Sequence, residues 1–216
     1  MARILITSGP TRQYLDPVRY LTNGSSGRMG AALAEAAWAE GHRVVVVSGP
    51  VDVAYPRTAE VISVISTEDM LAACQRIFPT CDGLIAAAAP CDYRPVMVQR
   101  QKIAKTGQPL QLHLVETPDI VAALAADRRK DQWIVGFALE TSDHRIRALV
   151  KLERKSCDLI VVNGPQAIHA ENTAVEVLDR RGSVVAALSG SKMKVARGIL
   201  QAIASHISSG LRRPGT

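Results

Sequence analysis

Hydrophobic residues along this chain gather into short uninterrupted runs, and between those runs they recur at helical spacing. The apolar run from Arg3 to Thr7, closed by Ser8-Gly9-Pro10, predicts a first strand. The Ala- and Leu-rich stretch from Gly27 to Glu40 predicts a helix, with Gly41 as its stop signal. A second strand is predicted over Arg43 to Ser48, where Val44 to Val47 are continuous rather than alternating. A continuous β-branched run belongs to a strand covered on both faces, as in a parallel sheet. Further strands are predicted at Val61 to Ile65, Gly83 to Ala88, Trp133 to Ala138 and Asp158 to Val162. Helices are predicted at Thr67 to Phe78, with Thr67 as N-cap, and at Ser142 to Arg154. After Asn163 the runs Ala174 to Leu178 and Val184 to Leu188 flank Asp179-Arg180-Arg181-Gly182-Ser183, which is a hairpin signal. A last helix is predicted over Ser191 to Ile207. The alternation gives an α/β fold: a doubly wound, mostly parallel sheet with helices on both faces and an antiparallel C-terminal hairpin extension. We expect one domain over residues 1–207 and a flexible tail over 208–216.

Two connections are too long for simple turns, one from about Ser8 to Ser26 and the other from about Pro90 to Pro118. Strand-to-helix connections usually take about 2–6 residues, so these segments suggest lids or binding loops. Both follow the C-terminal ends of predicted strands, where open α/β sheets bind ligands.

Composition narrows the function. Of the 216 residues 47% are hydrophobic and 21% charged, which suits a globular chain and excludes a disordered one. No apolar run approaches the roughly 18 residues a membrane span needs, and the N-terminus reads as a buried strand rather than a signal peptide. A cytoplasmic location is the resulting expectation. Cys74, Cys81, Cys91 and Cys157 have neither CxxC nor metal-ligand spacing and read as free buried thiols. The net charge of +6 suits an anionic partner, but with only 4% aromatic residues there are few platforms for stacked bases, so nucleic acid is not expected.

The segment Asn23-Gly24-Ser25-Ser26-Gly27-Arg28-Met29-Gly30 runs into a predicted helix. It is neither GxGxxG nor a P-loop. Its spacing is equally compatible with a phosphate cradle and with glycines that let a helix pack closely on the sheet. Ala86, Ala87 and Ala88 at a strand tip leave room for a flat ligand, or for a helix crossing closely. Asp92 just beyond them suits a cation, a ribose or a turn cap, and it is the one metal candidate. Lys102 and Lys105 lie on the second long loop, and Lys151 and Lys155 share one helix face with Arg147 and Arg154 nearby. Phe137, near the end of the fifth strand, suits either a stacked base or the core. The five histidines are scattered, with no HExxH and no nucleophile elbow.

Taken in order, several of these segments resemble a known family. They are Ile6 to Arg12, Leu15 to Tyr20, Asn23 to Gly30, Val47 to Pro50, Asp92 to Pro95, Lys102-Ile103, Pro118 to Ile120 and Val135 to Thr141. Together they resemble phosphopantothenoylcysteine synthetase, the ligase domain of a bifunctional synthetase/decarboxylase family of coenzyme A biosynthesis, over nearly the whole chain. The resemblance implies a Rossmann-like fold. It implies a ligase that activates phosphopantothenate with CTP to an acyl-cytidylate and then forms an amide with L-cysteine, with magnesium as the divalent cation. It implies nucleotide contacts at Ala86, Ala87, Ala88, Asp92, Lys102, Pro118, Asp119, Ile120, Val121, Phe137, Lys151 and Lys155. Phosphopantothenate contacts are implied at Asn23, Ser25, Ser26 and Gly27, with Asn23 and Lys102 as the catalytic pair. A homodimer is implied, and a separate flavin-dependent decarboxylase as a possible companion chain.

The chain departs from the family pattern at Pro90 and Cys91, at Thr117, at Ala104 and at Val162-Asn163-Gly164. Pro90 and Cys91 flank the base pocket, which keeps ATP open beside CTP. A non-ligase Rossmann-type nucleotide-binding protein is the other reading. Against a dehydrogenase stand the missing GxGxxG and the lack of an acidic residue closing the second strand.

Overall fold

The structure is a computed structural model that describes residues 1–139, 144–163 and 172–210. In chain order the elements begin with β1 (Arg3–Ser8), β2 (Arg12–Tyr14), β3 (Tyr20–Thr22), α1 (Arg28–Ala39), β4 (Arg43–Ser48) and β5 (Glu60–Ser63). Next come α2 (Thr67–Ile77), β6 (Gly83–Ala86), β7 (Tyr93–Pro95), β8 (Leu114–Glu116) and α3 (Ile120–Ala126). The chain continues through β9 (Trp133–Leu139), α4 (His144–Arg154), β10 (Leu159–Asn163), β11 (Asn172–Asp179), β12 (Val184–Ser191) and α5 (Lys192–Gly210).

Eight strands form one sheet in the order β12-β11-β10-β9-β6-β1-β4-β5. From β5 to β10 every pairing is parallel, and β11 and β12 add an antiparallel edge. The expected doubly wound, mostly parallel sheet with a C-terminal hairpin is what the chain forms. Its parallel part runs outward from β1 to β4 and β5 on one side and to β6, β9 and β10 on the other, the order of a Rossmann-like fold.

The uninterrupted apolar strands have a direct reason. Leu5, Val45 and Val47 face a core shared with α2, α3 and α4, while Ile4, Ile6, Val44 and Val46 face a second core under α1 and α5. Successive side chains point to opposite faces, so a strand buried on both sides must be apolar at every position.

Element ends differ from expectation where local hydrogen bonds decide them. The N-cap of α2 is Ser66 rather than Thr67: Ser66 accepts from the Asp69 N–H, and Asp69 accepts from the Ser66 N–H, closing a capping box. Thr67 is instead the first helical residue, and its hydroxyl is spent elsewhere. The fourth predicted strand ends at Ala86, two residues early, because Ala87 and Ala88 leave the ladder. Helix α5 runs to Gly210, beyond the expected start of the tail, and 211–216 lie outside the described residues, as do 142 and 143 of the predicted helix before His144. The two long connections are not plain loops, since they carry the ribbons β2–β3 and β7–β8. Their strands have three residues each, too few to show as a period in the sequence.

Gly27 and Gly30 have separate tasks. Gly27 is the α1 N-cap with φ +73°, and the Ser8 hydroxyl donates to its carbonyl. A Cβ at Gly30 would lie 2.2 Å from Ser8 Oγ, so Gly30 lets α1 sit directly on β1. Among the described residues no helix is long and apolar enough to cross a membrane. All four cysteines are free and buried, and burial pushes the Cys74 and Cys157 thiols up to about 12.

The tightest backbone approach is at Gly49, where a Cβ would stand 1.6 Å from the Pro10 carbonyl oxygen. Gly49→Ala is expected to cost about 2 kcal/mol or more, because a backbone atom cannot step aside as a side chain does. A chain of this size should then melt about 4–8 °C lower. A thermal melt unchanged within experimental error would refute the close approach.

Candidate functional site

The point where the parallel sheet runs outward in both directions lies between β1 and β6, and crevices form there at the carboxyl ends of the strands. A cavity of about 600 Å³ opens at this place. Its floor is Thr7, Ala86, Ala88, Gly136 and Ile160, and its walls include Ile120 and Val121 of α3 and Phe137. Asp92, Glu116, Asp119, Arg154 and Lys155 supply its charged groups.

The strand tip above β6 is held by buried hydroxyls. The Cys91 N–H donates to Thr11 Oγ1 at 2.8 Å. The Thr67 and Thr117 hydroxyls both donate to the Cys91 carbonyl, at 3.1 and 2.7 Å. Thr11 and Thr67 hydroxyls lie 2.8 Å apart, and since the Thr67 proton is already committed, Thr11 is the donor between them. The ring closes on the Cys91 peptide, with Thr11 and Thr67 fully buried. Asn23 Nδ2 donates to the Pro90 carbonyl at 2.8 Å, tying the 23–30 segment to the same tip. The Ala88 N–H goes to Thr7 Oγ1 and the Ala89 N–H to the Gly9 carbonyl. From Ala88 to Cys91, then, every backbone donor is used inside the protein, and Pro90 has none.

The mouth of the cavity is electrostatic. Asp119 caps α3 by accepting from the Ala122 N–H at 3.1 Å. Its other oxygen lies 3.1 Å from Lys155 Nζ and 3.7 Å from the Arg154 guanidinium.

Of the residues singled out from the sequence, Ala86, Ala88, Asp92, Pro118, Asp119, Ile120, Val121, Phe137 and Lys155 line this one cavity. Ala87 does not, because the alternation of the chain turns it to the opposite face, against the α1 and α5 core. Lys151 lies one turn before Lys155 on α4 and outside the lining. Asn23 reaches the cavity only through Pro90, and Ser25, Ser26 and Gly27 form the turn into α1 behind it. Lys102 is elsewhere. It lines a second, open hollow of about 1030 Å³ formed by the 95–113 segment, with Val96, Met97, Leu110 and Leu112 exposed around it. Among the described residues no three His, Cys, Asp or Glu side chains gather in a metal-holding group around Asp92 or anywhere else. Thr11, Thr67 and Thr117 were not legible as site residues, since a lone threonine in a loop carries no pattern.

The segment bearing Lys102 is anchored by Asp16. This buried carboxylate accepts from the backbone N–H groups of Val18, Arg19 and Ile103 and from the Arg19 guanidinium at 2.7 Å. Arg19 in turn donates to the Ile103 carbonyl. Burial by itself would raise the Asp16 pKa. The three N–H donors and Arg19 more than offset that and hold it at about 2, against an ordinary 3.8.

With this geometry established, known proteins can be compared. Residues 1–207 match the family described as the DNA/pantothenate metabolism flavoprotein C-terminal domain, and the chain belongs to that family. A Bacillus subtilis coenzyme A biosynthesis bifunctional protein CoaBC is 40% identical over 207 residues, covering 94% of this chain and 51% of that protein. A cysteine/cysteine sulfinic acid decarboxylase from an unknown prokaryotic organism is 38% identical over 206 residues, covering 93% of this chain and 57% of that protein. The crystal structure of the C-terminal domain of a coenzyme A biosynthesis bifunctional protein CoaBC superposes with a TM-score of 0.81 at 35% identity, covering 96% of each chain. The chain spans about half the length of the curated relatives it matches.

These findings correct the expectation drawn from resemblance. The matched family is named for a flavoprotein and one relative for a decarboxylase, and neither carries the synthetase name. The identification as phosphopantothenoylcysteine synthetase is withdrawn on that ground. With it go the ligase reaction, CTP as co-substrate and the magnesium requirement. The link to coenzyme A biosynthesis stands.

The Asp16 anchor makes a pH test. A folded pKa below the unfolded one contributes stability that is complete above about 3.8 and is lost as pH falls towards about 2. Thermal melts of the parent should therefore fall across that window more steeply than those of Asp16→Asn. At neutral pH the variant should exchange the Ile103 amide hydrogen faster. Parallel pH profiles for the two proteins would show that the anchor contributes nothing.

Proposed function

We propose that this member of the DNA/pantothenate metabolism flavoprotein family binds a phosphorylated nucleotide in the cavity between β6, β9 and α3, as part of a protein of coenzyme A biosynthesis. One observation carries the reading: a crevice at the switch point of the sheet has an acceptor-lined tip at one side and Arg154 with Lys155 at the other. Small side chains at Ala86, Ala88 and Gly136 leave room for a flat base, and Phe137 and Val121 supply apolar surface beside it. The tip from Ala88 to Cys91 offers no backbone donor, and Asp92 and Glu116 add carboxylate acceptors. Such a wall suits a base that brings its own N–H donors, as an amino-bearing base does.

The family name raises a flavin, and the residues of this cavity do not fit one. The polar edge of the isoalloxazine ring is mostly carbonyls and ring nitrogens that accept hydrogen bonds, and this wall accepts too. An electron-rich reduced flavin would also face Asp92, Glu116 and Asp119, with both lining cations already shared by Asp119. No step is derived through a flavin here.

The remaining partners follow the same reading. A phosphorylated small molecule of the pathway, such as phosphopantothenate, would lie beside the nucleotide at the turn of Asn23, Ser25, Ser26 and Gly27. Asn23 is anchored there on Pro90. We read the chain as a homodimer, which would cover the exposed apolar side chains of the 95–113 segment.

Calorimetric titration with a panel of ribonucleoside triphosphates and FMN tests this. Nucleotides with an amino-bearing base should bind about fivefold or more tightly than uridine nucleotides, the value of one satisfied hydrogen bond. FMN should bind more weakly than either. FMN binding as tight as that of the best nucleotide would overturn the reading, as would the absence of any nucleotide binding.

A further inference from the structure

The two cations that line the cavity are not presented to an incoming ligand. Both stand against one carboxylate, with Asp119 Oδ2 at 3.1 Å from Lys155 Nζ and 3.7 Å from Arg154. The same side chain caps α3 through its other oxygen, so its position is set by the helix and not by the cations. Lys155 and Asp119 are both about three-quarters buried in their side chains, at 26% and 30% exposure, so the pair is only partly screened by water.

We propose that Arg154 and Lys155 form the phosphate subsite of this cavity and that Asp119 is its built-in counter-ion, occupying the subsite until a phosphate displaces it. The proposal rests on the nucleotide reading above and adds to it which cations receive the phosphate and what competes for them. The competition has a structural benefit. Two neighbouring cations left without a counter-ion would repel each other at the C-terminal end of α4, and the shared carboxylate offsets that repulsion. It also has a cost to the ligand, because each phosphate contact is made by breaking an existing one. Asp119 therefore weakens phosphate binding while ordering the groups that bind it.

Asp119→Asn separates the two tasks of the side chain. Asparagine caps a helix as well as aspartate does, so α3 is retained, whereas the negative charge is lost. Binding of the tightest nucleotide, and of inorganic pyrophosphate as a base-free probe, should strengthen about two- to fivefold, the range for a partly exposed ion pair. Lys155→Ala and Arg154→Ala should each weaken both ligands. In the Lys155→Ala background the gain from Asp119→Asn should shrink, because the main contact it releases is gone. A readout without any ligand accompanies these: acylation of the Lys155 amine by an amine-reactive ester, followed by peptide mass spectrometry, should be faster in Asp119→Asn than in the parent. Weaker binding in Asp119→Asn would show that the carboxylate positions the cations or holds the ligand itself, and would overturn the proposal. An equal gain with and without Lys155, or an unchanged acylation rate, would overturn it as well. If the parent binds neither nucleotides nor pyrophosphate, the nucleotide reading fails with it. If nucleotides bind and Asp119→Asn leaves them unimproved, only the counter-ion proposal fails.

Discussion

Burial of the parallel sheet on both faces is the constraint from which the rest follows. Ile4, Ile6, Val44 and Val46 belong to one core, and Leu5, Val45 and Val47 to the other, so neither face has space for a ligand. The backbone groups of the inner strands are paired with their neighbours. What remains open is the row of strand ends, and there only where the chain departs on opposite sides of β1. The cavity at Thr7, Ala86 and Gly136 is the consequence of that geometry, and the small residues at its floor keep it from filling.

An open crevice needs walls that do not collapse into it, and buried polar groups supply them. The Cys91 peptide is held by Thr11, Thr67 and Thr117 in a ring whose donors and acceptors all match. Such a network is rigid because breaking any link would leave a buried polar group without a partner. It also joins three distant parts of the chain: the entry to β2, the start of α2 and the segment before α3. The Asp16 knot does the same for the arm that carries Lys102, joining it to the β2–β3 ribbon. Both arrangements put buried hydrogen bonds where a short ribbon has too little apolar surface to hold itself.

The comparisons and the cavity inform one another. Family membership and the half-length match to bifunctional proteins place the chain within coenzyme A biosynthesis. The family's name suggests flavin, but the donors and acceptors of this cavity are arranged for a ligand of the opposite polarity along its edge. The chemistry of the residues is what distinguishes the two, since a fold of this kind serves many ligands.

Much of the fold was legible from the sequence by itself. The continuous valines of Val44 to Val47 required two covered faces, and Asp179 to Ser183 required a turn between paired strands. Both are local patterns whose period names the element. The site was only partly legible. Ala86, Ala88, Asp92, Asp119 and Lys155 were singled out and converge, whereas Ala87 turns away and Lys102 stands over a different hollow. The ribbons β2–β3 and β7–β8, the threonine ring and the Asp119 pair with Lys155 were decided by tertiary structure alone. Each joins residues tens of positions apart through a single hydrogen bond or ion pair. Such a contact leaves no period in the sequence, because its partners meet only after the strands have set the distance between them.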